Sequence, residues 1–192
     1  MRLFFAIDVP DGLRDSIAAV QDDLRAAEGL SFTDPDQAHL TMKFLGEIPT
    51  EEEAEDDEPT VADAKRAGAG AAEAAGLGSF EVALAGLGAF PSEAYVSVVW
   101  TGVEAGAAEL GELATALESA ATDRGFDAAD NPFTPHVTLA RMNDARGKEF
   151  VQSRVRDENP NVGRFTAEEL RLKRSLLRDD GANHETIARF PL

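Results

Sequence analysis

Apolar and polar residues alternate through Ala38–Phe44 and again through Pro135–Arg141, and a period of two predicts two half-buried β-strands. Side chains on a strand point alternately to its two faces. Regular alternation therefore sets Leu40, Met42 and Phe44 on the inner face of the first strand and His39 and Thr41 on the outer. In the second, Val137 and Leu139 turn inward and His136 and Thr138 outward. Elsewhere, Leu3–Val9 reads as a strand, and Leu13, Ile17, Val20 and Leu24 recur at helical spacing in a segment running from Pro10-Asp11 to about Glu28. A short strand or turn is expected over Phe32–Asp36, and helices over Val61–Ala75, from about Ala105 to Arg124, and over Lys148–Arg156. Strands are expected over Phe80–Leu87, Tyr95–Thr101 and Phe165–Leu177, the last joined to Glu185–Phe190 around a loop at Asp179–Asn183. Strands and helices recur in both halves without a regular parallel-crossover rhythm, which favours an α+β architecture.

A chain of 192 residues with 43% hydrophobic content can bury a sizeable core, and residues 1–192 are expected to form one domain. No cysteine is present, which removes disulfides, thiolate metal sites and a cysteine nucleophile. No apolar run approaches the length of a membrane span, and Met1–Asp8 is too short and too acidic at its end for a signal peptide. A cytoplasmic protein with no membrane partner is expected. Asp and Glu number 36 against 18 Lys and Arg, a formal net charge of -18. The lysines are Lys43, Lys65, Lys148 and Lys173. An acidic, lysine-poor surface suits a halophilic source, where charge maintains solubility and molar salt screens the self-repulsion. The near-continuous acidic run Glu51–Glu58 reads as a solvated insertion.

Two of the chain's three histidines open the same pattern, His39-Leu40-Thr41-Met42 and His136-Val137-Thr138-Leu139. Each strand thus offers an imidazole and a hydroxyl side by side. Two such strands brought together would surround a small anion with two proton-transfer groups and two hydrogen-bond donors. Phosphate chemistry fits, because one neutral and one protonated imidazole can coexist near neutral pH as base and acid, while hydroxyls hold the non-bridging oxygens. Arg141 could add a charged contact to the same phosphate, provided the strand bends, because its odd spacing from His136 otherwise turns it to the opposite face. Lys43 is a weaker candidate of the same kind. Neither His-x-Thr supplies a second strong metal ligand at coordinating distance, which argues against zinc catalysis. His184 sits in a polar Asp-Gly-Ala-Asn-His turn, where a solvated side chain is the plain expectation and a substrate-rim role the alternative. No Gly-x-x-x-x-Gly-Lys loop occurs to cradle a nucleoside triphosphate.

These motifs resemble the two-histidine phosphoesterases, and within them the RNA 2',3'-cyclic phosphodiesterases first described as 2'-5' RNA ligases. The likeness extends through Met1–Asp8, His39–Gly46, Gly88–Ser92, Val98–Val103, Pro132–Arg141 and Ala188–Leu192. It implies a bilobal α+β fold with antiparallel sheets and pseudo-two-fold symmetry around a central cleft, no cofactor or metal requirement, and Arg141 lining the cleft beside Thr41 and Thr138. It also implies action on RNA with a 2',3'-cyclic phosphate terminus, tRNA-derived ends among them; a monomer is expected. Hydrolysis would give a 2'-phosphomonoester. The two tetrads are equivalent in sequence, so acid and base follow only from the resemblance, with His39 as proton donor and His136 as acceptor. Alternatives are 2'-5' ligation, the reverse reaction, and a non-catalytic module that binds RNA ends or nucleotides on the same fold. The chain departs from the family at the acidic stretch and at His184, where relatives often carry an aromatic residue after a Gly-Pro turn.

Overall fold

The computed structural model describes residues 1–178 and 181–192. Its strands are β1 (Arg2–Asp8), β2 (Leu30–Phe32), β3 (His39–Glu47), β4 (Phe80–Pro91), β5 (Val96–Ala105), β6 (His136–Met142), β7 (Asn161–Ala167), β8 (Glu169–Arg178) and β9 (Gly181–Pro191). The helices are α1 (Arg14–Asp23), α2 (Val61–Ala75), α3 (Ala107–Thr122) and α4 (Lys148–Asp157). A 3-10 turn, Asp11–Leu13, leads into α1, and a second, Pro35–Gln37, leads into β3. The stretch Phe165–Leu177, expected as one strand, is broken at Glu168 into the end of β7 and most of β8. Of the turn expected after it, Asp179 and Asp180 lie outside the described residues.

One antiparallel sheet carries the strands in the order β7-β4-β5-β6-β3-β1-β8-β9, with β2 paired to β6 off that path. Among the described residues its two halves, β3-β1-β8-β9 and β6-β5-β4-β7, meet at a single register pair, Leu40 with Val137. The expected two-fold relation is therefore realised within one continuous sheet, with β3 and β6 as equivalent central strands. Each follows a strand-helix pair, β1-α1 for β3 and β5-α3 for β6. The helices cross over: α3 packs on β3 and β5, whereas α1 packs on β6 and β7. Beyond Val137, β2 takes the edge of β6 that β3 has left, pairing Phe32, Ser31 and Leu30 with Ala140, Arg141 and Met142. The lobes therefore separate after their one contact, and the cleft opens between them.

The helices cover the face that Leu40, Val137 and Leu139 present, and these three side chains are fully buried. With Phe5, Ile7, Ile17, Leu84, Leu110, Leu113 and Leu117 they form the main core. A smaller cluster, Leu24, Ala27, Val96, Val99, Val151 and Val155, seats α4 against the second lobe. The Ala-rich α2 is sharply bounded. Thr60 and Asp63 form a reciprocal capping box at its start, and Gly76 at its end has φ 55°, a left-handed conformation that glycine adopts without steric cost. Among the described residues no helix is long and apolar enough to cross a membrane.

Candidate active site

Both histidine strands depart from regular alternation at the same place. On β3, Phe5 pairs with Lys43 and Ala6 with Thr41, so Met42 is an extra residue. On β6, Val99 pairs with Ala140 and Trp100 with Thr138, so Leu139 is extra. A β-bulge of this kind reverses the facing of every residue beyond it. Consecutive residues are buried as a result: Met42 with Lys43, and Leu139 with Ala140. The fifth residue after each histidine then turns back to the histidine face. In the second lobe that residue is Arg141, which is exposed, and the bend it required is this bulge.

In the first lobe the same position holds Phe44, and here the structure corrects the alternation. Phe44 does not join Leu40 and Met42 inside; it is 65% exposed and lies 5.9 Å, ring to ring, from Phe4. Lys43 is corrected in the opposite sense. It is buried, and its Nζ donates to Glu118 Oε2 at 2.7 Å and to Asp127 O at 2.9 Å, so it ties β3 to α3 rather than touching a substrate. Burial raises the Glu118 pKa, but the Lys43 bond and the Ala129 N–H bond outweigh it and hold the carboxyl below its ordinary range.

The extra carbonyl at the β6 bulge is satisfied by a residue that periodicity alone reads as core. Gln21, buried on α1, donates through Nε2 to Leu139 O at 2.9 Å and to Thr33 O at 2.8 Å. Thr33 adds its amide to Leu139 O at 3.0 Å and its hydroxyl to Thr138 O at 2.8 Å. The one sequence signal for Gln21 is a glutamine in helical phase with Ile17 and Leu24.

Counting one residue either side of the Leu40–Val137 pair sets His39 opposite Thr138 and Thr41 opposite His136. Each histidine thus lies across from the threonine of the other lobe. The rings are held identically: His39 Nδ1 lies 2.7 Å from Gln37 O, and His136 Nδ1 lies 2.7 Å from Thr134 O. A carbonyl oxygen only accepts, so Nδ1 carries the proton in both rings and Nε2 is the nitrogen left for proton transfer. Both pKa values lie below 6.5, chiefly through desolvation. The carbonyl bonds oppose this. His136 is lowered further by Arg141. Around His39 the charges of Lys173 and Asp8 act in opposite senses, consistent with the ion pair between them, Nζ to Oδ1 at 2.6 Å.

Aromatic rings wall both histidines. Phe90 stands edge-on to His136 at 4.8 Å and Trp100 lies 5.8 Å from it. Gly88 makes room for the indole, since a Cβ there would come within 2.1 Å of Trp100. On the other side Phe4 and His39 are 5.1 Å apart. His184 completes that cluster, contrary to the solvated turn expected for it. It is half-buried on β9, edge-on to His39 at 5.1 Å and to Phe4 at 5.0 Å. Desolvation, then His39 and Lys173, push its pKa down to about 4. Among the described residues no group of three or more His, Cys, Asp or Glu is placed to hold a metal ion.

Known proteins resemble this chain in sequence and fold. Residues 9–179 match the 2'-5' RNA ligase superfamily. The RNA 2',3'-cyclic phosphodiesterase of Methanothermobacter thermautotrophicus is 30% identical over 194 residues, covering 100% of this chain and 99% of that protein. That of Aeropyrum pernix is 33% identical over 176 residues, covering 91% of this chain and 90% of its own. Among solved structures, a protein of Thermus thermophilus superposes with a TM-score of 0.80 at 30% identity, covering 100% of this chain and 98% of that one. E. coli LigT complexed with 3'-AMP superposes with a TM-score of 0.75 at 26% identity, covering 100% and 97%.

Proposed function

The chain belongs to the 2'-5' RNA ligase superfamily, and from that premise we propose that it hydrolyses a terminal RNA 2',3'-cyclic phosphate to a 2'-phosphomonoester, with His39 and His136 as acid and base. The observation that carries the reading is the facing pair of imidazoles, each with Nδ1 on a carbonyl and each opposite the other lobe's threonine. His136 Nε2 removes a proton from water as the oxygen attacks phosphorus. The bond from phosphorus to the 3'-oxygen breaks, and His39 Nε2 delivers a proton to that oxygen. Two protons have then moved, one to His136 and one from His39, and exchange with solvent restores the starting pair. Thr41, Thr138 and Arg141 donate to the phosphoryl oxygens, where charge increases in the transition state.

Arg141 disfavours a cation on His136, which suits a base that starts neutral. Around His39, Lys173 and His136 disfavour the cation and Asp8 favours it, so the donor role of His39 rests on the resemblance and not on its surrounding charges. The matched positions after the bulges divide the substrate between them: Arg141 offers a guanidinium to phosphate, and exposed Phe44, backed by buried Phe4, offers an aromatic face to a base.

A pH profile tests the pair of roles. One imidazole must be protonated and one neutral, so kcat/KM should be bell-shaped. Its limbs report the free enzyme, in which both pKa values lie below 6.5; the maximum is therefore expected on the acid side of that value. The kcat profile should lie higher, because a bound phosphate anion favours the imidazolium. A kcat/KM that climbs steadily through about pH 8 without an alkaline limb would describe a single base and remove the acid.

A further inference from the structure

The two catalytic imidazoles are oriented by main-chain carbonyls two residues before them, and the two lobes fix those carbonyls differently. In the second lobe, Thr134 precedes Pro135, and a residue before proline is sterically confined to extended backbone. The carbonyl that receives His136 Nδ1 is therefore set by local covalent structure. The first lobe has Ala38 in the equivalent place. Its φ of -61° would suit proline, but Ala38 N–H donates to Pro35 O at 3.3 Å, and Gln37 lies in a 3-10 turn that a following proline disfavours. Proline is thus unsuited to this position.

The 3-10 turn takes its place, with Gln37 N–H on Asp34 O and Val9 N–H on Ala38 O, each at 3.0 Å, and the Gln37 side chain adds a tie to a strand distant in sequence. Gln37 Oε1 accepts the main-chain N–H of His184 at 2.7 Å. Among the described residues β9 is the last strand of the sheet and pairs with β8 alone, so this amide points away from the ladder and would otherwise go to solvent. Gln37 also borders a cavity of about 500 Å³ together with Asp8, Lys173 and His184. The bond to His184 N–H gives the amide a fixed partner on the wall of that cavity. The same strand carries the His184 ring that stands edge-on to His39. We propose that Gln37 is a positioning residue for His39: its side-chain amide, anchored on the edge strand β9, holds the carbonyl that fixes the His39 ring for proton transfer. This rests on His39 belonging to the catalytic pair.

Gln37→Met keeps the length of the side chain and removes the acceptor, whereas Gln37→Glu keeps an acceptor at the same reach. In Gln37→Met, kcat should fall roughly three- to tenfold, the effect of one ordinary hydrogen bond, with KM changed less than about twofold. The His184 amide should exchange faster with deuterium, and the His39 Nδ1–H signal in 15N-labelled protein should broaden or vanish. Gln37→Glu should restore both NMR signatures and most of kcat. Its added charge near His39 should also move the alkaline limb of the kcat profile upward, because a nearby anion favours the imidazolium. Unchanged amide exchange and an unchanged His39 signal in Gln37→Met would overturn the proposal, as would a loss of kcat that Gln37→Glu does not recover despite restored signals. If Gln37→Met does not fold, rapid exchange of the His184 amide in the wild-type protein would refute the brace. Neither NMR readout depends on turnover, so a failure of the proposed phosphodiesterase reaction in the wild-type assay is distinguished from a failure of the brace.

Discussion

His39→Ala and His136→Ala should each lower kcat by on the order of a hundredfold or more, the usual contribution of a general acid or base. Both rings lie at the cleft rather than in the core shared by Leu40, Val137 and Leu139, so the melting temperature should change little. The double variant should lose far less than the product of the single effects, because in the proposed mechanism the two groups act as one unit. The two variants should also differ in pH dependence. Without the base the acid limb disappears; without the acid the alkaline limb does. A folded single variant with wild-type turnover would take that residue out of the mechanism.

Arg141→Met should be nearly as severe, with kcat/KM down by about a hundredfold, the scale seen when one preorganised donor to a developing oxyanion is removed. The bulge at Leu139 sets Arg141 on the same face as His136 and Thr138, and its charge reaches His136 strongly enough to lower that pKa. Removing the guanidinium should therefore do two things at once: weaken transition-state binding and let the acid limb of kcat/KM move up in pH. Arg141→Lys should keep the limb near its original position while recovering only part of the rate, since a lysine cannot make the bidentate contact. A rate loss with no movement of the acid limb would mean that Arg141 acts away from His136.

The helices and strands are largely legible in the sequence because each depends on local periodicity. α2 runs over Val61–Ala75 as its Ala-rich composition implies, and the two histidine strands start at His39 and His136 and keep their alternation as far as the bulges. The bulges are not legible. They arise from pairing with β1 and β5, distant partners that a single strand does not announce, and their trace in the chain is faint. Leu139-Ala140 hints at the one in β6 as two adjacent apolar residues, but the equivalent Met42-Lys43 hides the other behind a charge that finds Glu118 inside. Arg141 can be named only as conditional on a bend for that reason, while alternation alone sends Phe44 to the wrong face. His184 is hidden for a related reason. Its neighbours in sequence are polar, yet strand pairing with Ser175 carries it to His39, and only the folded sheet reveals that proximity. Gln21 and Gln37 belong to the same class, being polar residues whose partners lie across the fold.

The central claim is that two imidazoles open a cyclic phosphate toward the 2'-phosphate, with the 3'-oxygen as leaving group. A short RNA ending in a 2',3'-cyclic phosphate, incubated with the protein in EDTA and resolved by its terminal phosphate, tests this most directly. The expected result is turnover undiminished by the chelator and a product carrying 2'-phosphate and 3'-hydroxyl. A 3'-phosphate product would reverse the leaving group, and activity lost in EDTA but restored by zinc or manganese would replace the paired-imidazole mechanism with a metal-dependent one.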